Sequence, residues 1–168
     1  MLKPREKTPD IEINLVNGTL WRLREQNPKN FTLILFYRGF HCPVCKSQLQ
    51  TLQRKLSAFS ERGVNVIAIS SDTEEKAKNT YKDWDISDIP LGYGFDIEKA
   101  REWGLYISKG IKKEPETFIE PGLFLVKPDG TLYSASIQTM PFARPGFSDL
   151  LKAIDFIVKN DYPARGEA

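Results

Sequence analysis

The sequence predicts an α/β sandwich, a mixed sheet with helices on both faces. Three observations carry this prediction. Phe31 to Tyr37, Val64 to Ile69 and Gly122 to Val126 are near-continuous apolar runs, the pattern of strands buried on both sides. Between the first two, Cys45, Leu49, Leu52, Leu56 and Phe59 recur at steps of three and four, the stripe of an amphipathic helix. After the third, Lys127-Pro128-Asp129-Gly130 is a tight turn that sends Thr131 to Ala135 back antiparallel.

The remaining elements follow in order. Ile11, Ile13 and Leu15 alternate with polar residues, and Asn17-Gly18 separates them from Leu20, Trp21 and Leu23, which predicts an N-terminal β-hairpin. The first long helix ends at Gly63, a residue suited to the left-handed turn beyond a helix end. Asp72 with Glu75 three positions on has the form of a capping box, so a second helix is expected there, turning Ala77, Tyr81 and Trp84 inward. Ile89-Pro90-Leu91 reads as a short extended piece. Asp96 caps a short helix through Ala100 and Trp103 that closes at Gly104. Residues 105–119, with Gly110, two lysines and Pro115, read mostly as loop. Phe147, Leu150, Leu151, Ile154 and Ile157 mark a final helix, with Asp149 near its start and Lys159 near its end.

At 168 residues, with 40% apolar and 27% charged content, the chain has the size and composition of one globular domain covering residues 1–168. A net charge of +2 without a basic cluster offers nothing to nucleic acid. No run approaches a membrane span, and Met1-Leu2-Lys3-Pro4-Arg5-Glu6-Lys7 lacks the apolar core of a secretory signal, so the expected address is cytoplasmic. In a reducing compartment, two cysteines at C-x-x-C spacing point to redox or metal chemistry rather than a structural staple.

Cys42 falls at or beside the N-cap of the first long helix, with Pro43 at its first position. Unpaired backbone N–H groups and the positive end of the helix dipole favour a thiolate there. Cys45 lies in register with Leu49 and Leu52 and points along the buried stripe, while Cys42 is expected to face outward. Cys42 should therefore attack and Cys45 resolve. A zinc site on His41, Cys42 and Cys45 is the metal alternative, one ligand short of a structural tetrahedron. Haem attachment would need histidine where Lys46 stands. For His41, two readings stand: tuning the thiolate and shuttling protons, or shaping the rim of the site. Arg38 either supports an anion or merely ends the strand.

Tyr37-Arg38-Gly39-Phe40-His41-Cys42-Pro43-Val44-Cys45 and Pro121-Gly122-Leu123-Phe124-Leu125-Val126-Lys127-Pro128-Asp129-Gly130 resemble two anchors of the thioredoxin superfamily, and more narrowly of its peroxiredoxin-like (alkyl hydroperoxide reductase/thiol-specific antioxidant) branch. The resemblance spans roughly residues 10 to 158. It implies a thioredoxin-like three-layer sandwich with Pro121 in cis facing the cysteines. Met140-Pro141-Phe142-Ala143-Arg144-Pro145 resembles a segment that carries a structural arginine beside the reactive cysteine. There are departures. The family's threonine and proline, three and seven residues before the reactive cysteine, are Gly39 and Leu35 here, and its active-site arginine falls at Pro121. Arg38 and Arg144 are the candidate substitutes. The buried aspartate of thioredoxins is Phe36. The resemblance implies a thiol peroxidase cycling Cys42 and Cys45 between dithiol and disulfide, with a thioredoxin- or glutathione-type electron donor, no cofactor, and pairing into homodimers. A thioredoxin-type disulfide reductase and a non-enzymatic metal- or partner-binding module are the alternatives.

Overall fold

The computed structural model describes residues 1–168. Its central sheet has the strand order β5-β4-β3-β8-β9, built from β3 (Phe31–Phe36), β4 (Val64–Ile69), β5 (Leu91–Gly92), β8 (Gly122–Val126) and β9 (Leu132–Ile137). The strands β3, β4 and β5 run parallel; β8 is antiparallel to β3, and β9 is antiparallel to β8. The sheet is mixed, as the apolar runs and the Lys127–Gly130 turn predict.

Side chains alternate across this sheet. Leu33, Leu35, Val64, Ala68, Leu123 and Leu125 face a core shared with α1 (Pro43–Glu61), α2 (Glu74–Asp83) and α4 (Phe147–Asn160). Ile34, Phe36, Ile67, Ile69, Phe124 and Val126 face the other core. That second core is closed by the hairpin β1 (Glu12–Asn14) with β2 (Leu20–Arg22) and by α3 (Ile97–Glu102) with Trp103. The strands β3 and β8 are buried on both faces along their whole length, which is why they show no polar alternation, whereas the edge strand β9 is only partly covered. The result is a three-layer thioredoxin-like sandwich with the predicted N-terminal hairpin.

Two expectations need correction. Residues 105–119 are not mostly loop: β6 (Ile107–Lys109) and β7 (Thr117–Ile119) form an antiparallel hairpin. Three-residue strands carry too little periodicity to announce themselves, and Phe118 and Ile119 owe their burial to packing across the fold. The cap of α2 is Thr73, whose hydroxyl accepts from the Lys76 N–H at 3.3 Å. Asp72 is turned the other way, toward the loop before α1.

Trp103 is fully buried, its ring 5.1 Å from Phe124 and 5.8 Å from Phe36. It joins α3 to the two middle strands. Trp103→Ala should cost about 3–5 kcal/mol through the cavity it leaves; urea unfolding measures this, and a loss below 1 kcal/mol would mean that the second core does not depend on it.

Candidate active site

Strand β3 aims the chain at the site. The Tyr37 N–H extends its pairing to the Ile69 carbonyl at 3.0 Å, and the chain then leaves the sheet through Arg38, Gly39, Phe40 and His41. A turn closes when the Cys42 N–H donates to the Gly39 carbonyl at 3.1 Å. Helix α1 begins immediately, with Cys42 as N-cap and Pro43 following, as the sequence predicts. The Cys42 sulfur itself is the capping group, accepting from the Cys45 N–H at 3.2 Å. The two cysteines are both reduced and approach to 2.6 Å.

The orientation of Cys42 differs from expectation. It is not on an open tip: Cys42 is 1% exposed and Cys45 0%. The segment after β9 folds across the helix start and lays the Arg144 guanidinium on the sulfurs. Its Nη2 is 3.1 Å from Cys45 Sγ and 3.8 Å from Cys42 Sγ. Arg144 is held in turn by the Pro141 carbonyl and by Gln48 Oε1, one turn along α1 from Cys45.

These contacts split the two acidities. The Cys42 thiol is pushed down to about 6, foremost by hydrogen bonding to Cys45 and further by the Cys45 N–H, Arg144 and Arg38, against the opposing effect of burial. Cys45 moves well up, because burial and then the neighbouring Cys42 both disfavour a second thiolate. No acidic residue lies in the first turn of α1 to oppose the anion. Both shifts favour the thiolate on Cys42 and the thiol on Cys45.

Arg38 does more than end a strand. It ion-pairs with the buried Glu120 at 3.1 Å and with Glu114 at 3.6 Å, and its guanidinium lies 4.6 Å over the Phe118 ring. Glu114, Phe118 and Glu120 come from β7 and its flanks, so the unforeseen hairpin is what orients Arg38. His41 packs edge-on against Phe118 at 4.7 Å. Burial, then Arg38, lowers its pKa, and neither ring nitrogen has a hydrogen-bond partner. His41 therefore packs as a neutral ring against Phe118.

Pro121 lines a small space with Gln48 and Arg144. It is in trans rather than cis, since the chain has no cis peptide bond. The Glu120 N–H bonds to Tyr106 O at 2.8 Å and Pro121 O accepts from Gln138 N at 2.9 Å, which carries the extended chain straight from β7 into β8. No three His, Cys, Asp or Glu side chains gather as a metal would require, so the zinc reading lacks its ligands.

Sequence reasoning missed Gln48, Asp72, Glu114, Phe118 and Glu120. Only Gln48 carried a signal, a polar residue one turn beyond Cys45 on the same helix face.

A dithiol at a helix start under a central strand, with opposed acidities, defines a thiol-dependent oxidoreductase of thioredoxin-like fold. Residues 4–135 match the model of the AhpC/TSA family, and the chain belongs to it. Among relatives, an alkyl hydroperoxide reductase C of Ferdinandcohnia aciditolerans is 25% identical over 135 residues, covering 77% of each chain. A Mycobacterium tuberculosis protein provisionally named a peroxiredoxin is 27% identical over 134 residues, covering 80% of this chain and 84% of that one. Among solved structures, AhpC of Enterococcus faecalis superposes with a TM-score of 0.76 at 19% identity, covering 98% of this chain and 99% of that one. The protein is a thiol-dependent peroxidase of this family.

Arg144→Ala should raise the Cys42 thiol from about 6 toward the ordinary thiol range, because a nearby cation is lost. It should also uncover the sulfur. Alkylation by iodoacetamide across pH then shows a midpoint displaced upward and a faster plateau; an unmoved midpoint would show that Arg144 does not support the thiolate.

Proposed function

We propose that Cys42 is the peroxidatic residue and Cys45 the resolving residue of a hydroperoxide reductase. The observation that carries this reading is the contact between a thiol lowered to about 6 and one raised above its usual value, a turn apart on α1. The Cys42 thiolate attacks the terminal oxygen of a hydroperoxide. The O–O bond breaks, the alkoxide leaves and takes a proton as the alcohol, and Cys42 becomes a sulfenic acid. The Cys45 sulfur then attacks Cys42 Sγ, the S–O bond breaks, and the hydroxide leaves as water with the Cys45 proton. The disulfide so formed is reset by two electrons from an external dithiol of thioredoxin or glutathione type.

Arg144 and Arg38 take the place of the missing orienting groups. Arg144 stabilises the thiolate and the polarised peroxide oxygens, and Arg38 is the second cation at the same mouth, locked by Glu120 and Phe118. Pro121 shapes the floor beneath Arg144, and His41 the wall against Phe118. The disulfide-reductase alternative would use the same two cysteines through a mixed disulfide. No helix is long and apolar enough to cross a membrane, and we place the activity in the cytoplasm, the reducing compartment a dithiol cycle needs.

Reduced protein mixed with hydrogen peroxide should lose two thiols rapidly and gain one disulfide. Cys42→Ser should abolish the reaction. Cys45→Ser should lose one thiol at a similar rate and leave a dimedone-reactive sulfenic acid. Thiol loss no faster than that of free cysteine would remove the peroxidase reading, and sulfenic acid on Cys45 in the Cys42→Ser variant would exchange the two roles.

A further inference from the structure

Asp72 is a buried carboxylate that the catalytic steps leave unused. It is 4% exposed, and burial raises its pKa. Removing a carboxylate from water is costly unless it is well paired. Its one hydrogen bond within the fold comes from the Phe40 N–H to Oδ2, at 2.8 Å. Phe40 follows Gly39 in the turn that closes on Cys42, the turn whose ends are joined by Cys42 N–H and the Gly39 carbonyl.

The carboxylate is fixed from its own side as well. The Asp72 N–H donates to Ser70 Oγ at 3.2 Å, and the Asp72 carbonyl accepts from the Gly94 N–H at 2.8 Å. Gly39 completes the fit. Its φ is +136°, and a Cβ there would fall 2.6 Å from Asp72 Oδ1 and 3.0 Å from Oδ2. The carboxylate occupies the room that a side chain at position 39 would fill. Any side chain at 39 would collide with Asp72, so the glycine and the aspartate form a matched pair.

We propose that Asp72 is a positioning residue for Cys42. By holding the Gly39–Phe40 peptide it fixes the turn, and the turn fixes Cys42 Sγ where it accepts from the Cys45 N–H and meets Arg144. Asp72 acts through an acceptor atom and the backbone, touching neither substrate nor sulfur. This rests on Cys42 being the reactive residue.

The test reads alkylation of Cys42 by iodoacetamide against pH, the second-order rate with hydrogen peroxide, and the melting temperature. Asp72→Ala should raise the alkylation midpoint and slow the peroxide reaction, by up to about a hundred-fold. Asp72→Asn keeps an oxygen in place and should restore both. The same bond is removable from its donor side. Phe40→Pro deletes the N–H at a turn position that accepts proline, while Phe40→Ala keeps it and loses only the ring; the proline variant should show the higher midpoint of the two. An Asp72→Ala protein that melts earlier but keeps its midpoint and rate would overturn the proposal, as would Asp72→Asn behaving like the alanine variant. If Asp72→Ala does not fold, equal midpoints for the two Phe40 variants overturn it. Wild-type protein that alkylates at Cys42 but ignores peroxide would refute the peroxidase reading alone, because the alkylation series still tests the positioning.

Discussion

The site depends on one contact: the Cys45 N–H donating to the Cys42 sulfur at the first turn of α1. A helix start leaves its first N–H groups without partners, and here a side-chain sulfur supplies the acceptor. The bond favours charge on Cys42 and brings Cys45 into contact with it. Both consequences follow from making a cysteine the N-cap. A serine or aspartate cap would satisfy the same helix, so helix stability alone does not call for a cysteine at this position.

Everything else in the fold holds that cap still. The central strand β3 is flanked by β4 and β8, which fixes where Phe36 ends and the turn begins. Leu49, Leu52 and Phe59 bury α1 against the sheet. The strap after β9 supplies Arg144, and the β6–β7 hairpin orients Arg38. Cations from two different elements thereby act to lower the Cys42 thiol. The cost is access: Arg144 covers the sulfurs, so a peroxide must displace or share its guanidinium.

Much of this was legible in the sequence. The apolar runs at Phe31, Val64 and Gly122 and the stripe from Cys45 to Phe59 announce sheet and helix, because burial on two faces or one leaves its own periodicity. The C-x-x-C at a helix start places both thiols on the first turn of α1. What was hidden depends on contacts distant in sequence. Arg144 lies 99 residues from the Cys45 sulfur it touches, and its place came through family resemblance. That same strap buries Cys42, which local pattern had turned outward. Asp72 misled because Asp72 and Thr73 both suit a helix cap, and only the fold shows which one turns away. The short strands β6 and β7 are stabilised by Phe118 and Ile119 packing into the body, which no local propensity records.

The claim on which the account turns is that the two touching thiols have opposite acidities. Absorbance of the reduced protein at the thiolate band, followed across pH, tests it directly. The account predicts one thiolate appearing near pH 6 and the second only well above the ordinary thiol value of 9.0, with the first step absent in Cys42→Ser. Two thiols ionising together near that ordinary value would contradict it.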